Sequence, residues 1–311
     1  MSRSLRIAFL GNDRWSVPSL RAIADSSHEV VAVITAQRRP AGRGNELHPT
    51  PVAHAAAAAG LSLHEVETVT SGPGADALAA SAPDLLLVVA YGEILPQAVL
   101  DLPAIAPVNL HFSLLPDLRG ASPVQTALLE GRDETGVTTI VMDTGIDTGP
   151  VIVRRAEAIE SGDDAGSLGD RLAVIGAEVL VETADLFVGG AADPRPQDEA
   201  AATFTRRLGA DDRVLRWTEP ARDLVNRTRA MSPEPGATTR FRGEDLKIFR
   251  ADTVPASGAP GSIVQASKEG FVVATGEDGF RAIELAPAGR RHMSSLDFVN
   301  GYRPEIGESL G

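Results

Sequence analysis

A mostly parallel α/β sheet with helices on both faces, followed by a small all-β domain, is the fold class that the 311-residue sequence predicts. Three observations carry it. Apolar strand-like runs alternate with helical patterns through roughly the first 120 residues, the rhythm of β-α-β crossovers. The stretch GGAADPRPQDEAAA has the Gly, Pro, Ala and acidic content of an interdomain linker. Beyond it, short strand-like runs follow one another at close spacing between turn residues, as in a small barrel or sandwich. The expected division is a first domain over 1–189, a linker over 190–206 and a second domain over 207–311.

The elements follow in order. LRIAFLG reads as a strand, SVPSLRAIADS as a helix with Ser16 as N-cap and Pro18 in its first turn, and EVVAVIT as a second strand. After the Gly/Pro loop RRPAGRGNELHPTP, VAHAAAAAG reads as a helix closed by Gly60, then comes a short helical stretch and the buried strand DLLLVVA. PVNLHFSLL is a further strand. GVTTIVMD and PVIVRRAEAI form a strand pair around TGIDTG, and a helix runs from near Ser167 to Phe187. In the second domain the helical piece EPARDLVNRTRAM precedes strands near ATTRFR, DLKIFRA, GSIVQAS, GFVVAT and FRAIELAPAG.

Composition narrows the function classes. There are no cysteines, which excludes disulfides, thiolate chemistry and a cysteine-ligated zinc. The longest apolar run, around Leu85–Ala90, is far short of the roughly 20 residues of a transmembrane helix, and MSRSLRIAFLG enters a strand without a cleavage-site pattern. A cytoplasmic protein without membrane contact is expected. The net charge of −13 argues against a nucleic-acid partner at first sight. Its distribution does not: from Phe204 onward 16 basic residues stand against 15 acidic ones, and the preceding residues hold 13 against 27. Lys247 and Lys268 are the sole lysines, so nearly all the positive charge is guanidinium, suited to bidentate phosphate contacts or simply scattered over the surface.

The loop GNDRWS has one glycine where the dinucleotide fingerprint needs three, and RPAGRG lacks the ending of a P-loop. The histidines, at 28, 48, 54, 64, 111 and 292, include no i, i+4 helical pair, so no metal site is expected; His28, His64 and His292 read as surface residues. In PVNLHFSLLP, Asn109, His111 and Ser113 alternate with Leu110, Phe112 and Leu114. Same-face neighbours stand about 6.6 Å apart, so Asn109 and His111 can converge on one ligand atom, as polarising a carbonyl requires. A strand wetting its polar side has the same pattern. MDTGIDTGP supplies a carboxylate: Asp143 and Asp147 are either turn caps or a partner that fixes the tautomer of His111, and Gly145 and Gly149 permit a left-handed backbone. His, Asn and Asp make a proton-handling and oxyanion-binding set with no nucleophile, since Ser113 sits in no G-x-S-x-G elbow.

NLHFSLLPDLRGASPVQTALLEG resembles the N-x-H-x-S-L-L-P-x-x-R-G signature of the formyltransferases that use 10-formyltetrahydrofolate, and MDTGIDTG resembles their aspartate-bearing loop. RPAGRG followed by P-x-P-V, VVAYGEILP and PGSIVQASKEGFVVATGEDG are similar to the bacterial branch that formylates methionyl initiator tRNA. The resemblance spans essentially the whole chain. It implies a Rossmann-like catalytic domain, an OB-fold-like C-terminal barrel that binds tRNA, and transfer without a covalent enzyme intermediate. It further implies Asn109, His111 and Asp147 as the catalytic set. Ser113, Leu114, Leu115 and Pro116 would contact the folate co-substrate, with Tyr91, Gly92 and Leu95 lining its pocket. Arg43 would reach the acceptor end of the initiator tRNA. A monomer without metal is expected. The chain departs from the family in two places: at Phe112, where glycine or proline is usual, and at Asn45 and Glu46, where lysines often follow GRG. Formylation of an amino sugar nucleotide, of glycinamide ribonucleotide, or hydrolysis of the donor would use the same chemistry. A non-catalytic RNA-binding protein is disfavoured by the intact Asn109, His111 and Asp147.

Overall fold

The computed structural model describes residues 4–41 and 46–311. They fall into two compact units, one of Met1–Pro123, Glu134–Ala158 and Gly169–Arg206, the other of Val124–Asp133, Ile159–Leu168 and Arg207–Gly311. The chain begins β1 (Arg6–Gly11), α1 (Ser16–Ala24), β2 (Glu29–Ala36), β3 (Arg39–Ala41), β4 (Glu46–His48), α2 (Pro51–Ala58) and β5 (Leu63–Val66). It continues α3 (Gly72–Ser81), β6 (Leu85–Val89), α4 (Gln97–Leu100), β7 (Ala106–His111), β8 (Arg119–Gly120) and α5 (Pro123–Leu129). Then come β9 (Glu134–Val141), β10 (Val151–Ala158), α6 (Ala165–Val188) and β11 (Phe204–Thr205).

The first unit is built on a sheet of order β10-β9-β7-β6-β1-β2-β5. β7, β6, β1, β2 and β5 are mutually parallel, whereas β9 and β10 continue the sheet antiparallel. Burial explains the composition of each strand. The central β6, LLLVV, is buried throughout, and the edge strand β10, VIVRRAEA, has no fully buried residue and from Arg154 on alternates exposed with half-buried positions. From β1 the chain first proceeds outward through β2 and β5, then returns to β6 and β7 on the other side. This reversal opens a crevice at the carboxyl ends of the strands, where doubly wound sheets bind ligands. Asn12 ties the two sides together there, donating to the Tyr91 carbonyl and accepting from Ala36 N at 2.7 Å.

Several local expectations change. Ser16 is not a cap: it is fully buried, its Oγ donates to Val89 O at 2.7 Å, and Asp13 Oδ1 instead accepts from Trp15 N at 3.0 Å. The β7 strand ends at His111, short of the predicted Leu115, because Ser113 Oγ turns back to donate to Asp117 O at 2.5 Å. β5, with its mixed sequence LHEV, has no strand signature of its own and forms by pairing with β2. His28 is buried rather than exposed, with Nε2 3.4 Å from Asp185 Oδ1 on α6.

In the second unit, α7 (Ala221–Ala230) precedes β12 (Ala237–Phe241), β13 (Glu244–Val254), β14 (Ile263–Ser267), β15 (Gly270–Ala274) and β16 (Gly279–Pro287). These are the five expected strands, in the antiparallel order β12-β13-β16-β15-β14. β17 (Met293–Ser294) and α8 (Ser295–Tyr302) complete the unit and were not anticipated. The Ser294 hydroxyl caps α8 by accepting from Asp297 N at 3.1 Å. Phe298 on α8 meets Phe241 and Phe271 at 5.3 Å each, so the helix closes the aromatic core of the sheet. No helix among the described residues is long and apolar enough to cross a membrane.

Candidate active site

The alternation along β7 separates packing from chemistry. Leu110 faces α6, against Gly176, where an added Cβ would stand 2.7 Å from Leu110 Cδ2. Asn109 and His111 project from the opposite face, at the carboxyl end of the strand. There they meet Asp147, from the loop between β9 and β10. Asn109 Nδ2 donates to Asp147 Oδ1 at 3.3 Å, and His111 Nδ1 lies 3.5 Å from Oδ2. Gly120 N donates to the same Oδ2 at 2.8 Å. Two N–H donors, with the His111 ring beside them, therefore converge on one carboxylate.

His111 is held from its other side as well. Its Nε2 lies 2.9 Å from Leu118 O, and because a carbonyl can only accept, Nε2 carries a hydrogen. The orientation of the imidazole is thus set by a backbone atom, leaving Nδ1 to face Asp147. The ring is buried, whereas Asn109 and Asp147 are partly open. Such a site combines low dielectric around the imidazole with access for a ligand at the amide and carboxylate.

The glycines of the aspartate loop act differently from expectation. Neither Gly145 nor Gly149 has positive φ; Asp147 itself does, at 53°. Gly149 is needed for close approach, since a Cβ there would lie 1.7 Å from Val141 O. The two aspartates also divide. Asp143 Oδ1 accepts from Gly145 N at 3.0 Å and Thr148 Oγ1 at 2.6 Å, which makes it a turn cap. Asp147 faces β7.

Of the other sequence-derived positions, Ser113 and Leu115 are fully buried, and Thr138 Oγ1 bridges them by donating to Ser113 O at 2.6 Å and accepting from Leu115 N at 3.1 Å. Leu114 and Pro116 are partly exposed. Tyr91 and Leu95 follow β6 and belong to the apolar cluster with Leu10, Val88 and Val99, while Gly92 is exposed with φ of 87°. Burial first, and the Glu93 carboxylate second, push the Tyr91 hydroxyl above the usual phenol range, so it stays neutral. Arg43 lies outside the described residues. Sequence reasoning missed Leu118, Gly120 and Gln197, which act through backbone or amide groups and carry no periodic signal.

Phe112 is packed against Trp15, with ring centroids 6.0 Å apart. Trp15 in turn lies over Gly169, where a Cβ would be 2.0 Å from its ring. A large residue at 112, an indole at 15 and a glycine at 169 fill one volume. Replacing Phe112 by alanine opens that volume, and urea unfolding should register a loss of about 3 kcal/mol.

Residues 5–184 match the family model described as Formyl transferase, and residues 207–303 match Formyl transferase, C-terminal domain. Residues 185–206 lie between the two. The chain is similar to the methionyl-tRNA formyltransferase of Acidithiobacillus ferrooxidans, 41% identical with 100% of each chain covered. It is 43% identical to the methionyl-tRNA formyltransferase of Roseiflexus sp., over 99% of this chain and 95% of that one. Among solved structures, the N-formyltransferase of Helicobacter canadensis in complex with folinic acid and dTDP-3-aminofucose superposes with a TM-score of 0.66 at 18% identity. That match covers 89% of this chain and 98% of the other, and shows a shared fold.

Proposed function

Because the chain belongs to the formyl transferase family, we propose that it transfers the formyl group of 10-formyltetrahydrofolate to the free α-amino group of methionyl initiator tRNA. The observation that carries this reading is the convergence of Asn109, His111 and Asp147 at the open end of β7, in a chain related over its full length to methionyl-tRNA formyltransferases. The donor set fits the co-substrate: the Asn109 amide and, in the protonated ring, the His111 Nδ1–H for a carbonyl oxygen, and a carboxylate for a proton. 10-Formyltetrahydrofolate supplies an activated formyl group; the protein supplies position and charge.

Asn109 directs an amide hydrogen at the formyl oxygen, where negative charge develops as the amine adds to the formyl carbon. His111, when its ring is protonated, shares that load through Nδ1–H. Such donors typically contribute about 3 kcal/mol each. Asp147 takes up the proton the amine must lose, directly or through water, and holds Asn109 and His111 in orientation. The C–N bond to N10 breaks as a proton reaches N10, giving N-formylmethionyl-tRNA and tetrahydrofolate. No side chain forms a covalent bond to the formyl group.

Leu114, Pro116 and the Tyr91–Leu95 stretch, at the carboxyl ends of β7 and β6, frame the folate, with Ser113 and Leu115 supporting the turn from below. The division at 189 and 207 assigns the catalysis to the first part and tRNA binding to the second, with Arg43 reaching the acceptor end. The protein acts as a monomer in the cytoplasm, where charged tRNA is made; light scattering checks the former.

An acceptor assay tests the reading. With 10-formyltetrahydrofolate as donor, methionyl initiator tRNA should consume it, while a UDP-amino sugar, glycinamide ribonucleotide and water should not. Reaction with the sugar nucleotide alone would overturn the assignment. Activity on tRNA should fall steeply as salt rises from about 50 to 200 mM, the mark of guanidinium contacts to phosphate.

A further inference from the structure

We propose that the segment from Gln197 to Thr205 braces the catalytic loop, and that Gln197 is a positioning residue for formyl transfer; this rests on the reading of Asn109, His111 and Asp147 given above. Gln197 Nε2 donates to both Asp147 O and Gly149 O at 2.7 Å. Its Oε1 accepts from Arg119 Nε at 3.1 Å and Nη2 at 2.9 Å. Both ends of the amide are in use. Leucine could make neither set of contacts, and glutamate could keep the arginine but would turn acceptors toward two carbonyls.

Arg119 is rigid enough to serve as the anchor. It is 1% exposed, and Glu199 closes its outer edge with contacts of 2.9 Å to Nη1 and 2.7 Å to Nη2. The fork of the guanidinium therefore has one orientation, and it fixes where Gln197 can point.

The same segment reaches the other flank of the site. Thr203 O accepts from Arg119 N at 2.9 Å, and Thr203 Oγ1 accepts from Leu118 N at 2.8 Å. Leu118 is the residue whose carbonyl orients His111. Leu118 and Asp147 are both left-handed, at φ of 57° and 53°, and neither is glycine. A side chain in that region persists where its surroundings over-determine it, and here one strap contacts the backbone at both places. Misplacement of a catalytic group by about 1 Å can cost on the order of 10²-fold in rate.

The test uses the full-length protein. Gln197→Leu should lower kcat roughly 10²-fold with KM for both substrates changed less than about threefold. Placed in an Asp147→Asn background, the same change should cost less than about twofold, because the group it positions is already inactive. A defect of folding alone would scale both backgrounds by the same factor. Gln197→Glu, which leaves Arg119 a partner, should lose as much activity as Gln197→Leu, and it carries the comparison if the leucine variant is insoluble. Parental kcat in the Gln197 variants, or equal losses in both backgrounds, would overturn the brace. Near-parental kcat in Asp147→Asn alone would overturn the catalytic reading instead.

Discussion

Asp147→Asn should lower kcat by roughly 10³-fold or more while KM for methionyl-tRNA and for 10-formyltetrahydrofolate moves little, as single-turnover and steady-state kinetics will measure. The size follows from the groups around the carboxylate. Asn109 Nδ2 points at one oxygen, and Gly120 N and His111 Nδ1 point at the other. An asparagine has a single acceptor oxygen. Aimed at Gly120 and His111, it sets its own NH₂ against that of Asn109, which must flip its amide and withdraw its hydrogens from the formyl oxygen. Aimed at Asn109, it sets its NH₂ against the Gly120 N–H. Either arrangement removes the proton acceptor and also misorients a neighbour. Parental turnover in this variant would refute the assigned role.

Asn109→Leu should cost about 10²–10³-fold in kcat, the usual effect of deleting one oxyanion donor. Leucine approximates the shape of asparagine and leaves the apolar side of β7 untouched, because Leu110, on the opposite face, is the residue packed against Gly176. The loss should therefore appear in kcat and kcat/KM together, with the unfolding midpoint nearly unchanged. A variant that raised KM at constant kcat would place Asn109 in ground-state binding instead. The order of the two effects is itself a prediction. Asp147 serves a proton and two orientations, whereas Asn109 serves one charge, so the aspartate change is the larger.

The parts of the site legible in the sequence were those with a local period. Asn109 and His111 stand two apart in a strand flanked by apolar residues, and period two places them on one face in any sheet. The strand's end was not legible: Ser113 continues the alternation, but its hydroxyl is satisfied by Asp117 O and the chain turns. Gly145 and Gly149 suggest backbone freedom, yet it is Asp147 that is left-handed and the glycines that let chain segments approach. Phe112 looked like a departure from the family at a sensitive place. Its ring lies against Trp15, so the departure is absorbed in packing.

The sequence by itself determined the alternating strands and helices, the change of texture after the acidic stretch, and the candidate amide, imidazole and carboxylate. Each depends on residues a few positions apart, where backbone geometry converts spacing directly into a face. Only the tertiary structure decided how Asp147 meets His111, which carbonyl orients its ring, and that Gln197 holds a loop 50 residues away. Those contacts join distant segments through single hydrogen bonds. Such pairings leave no period in the chain, because they are selected by the packing of the whole unit.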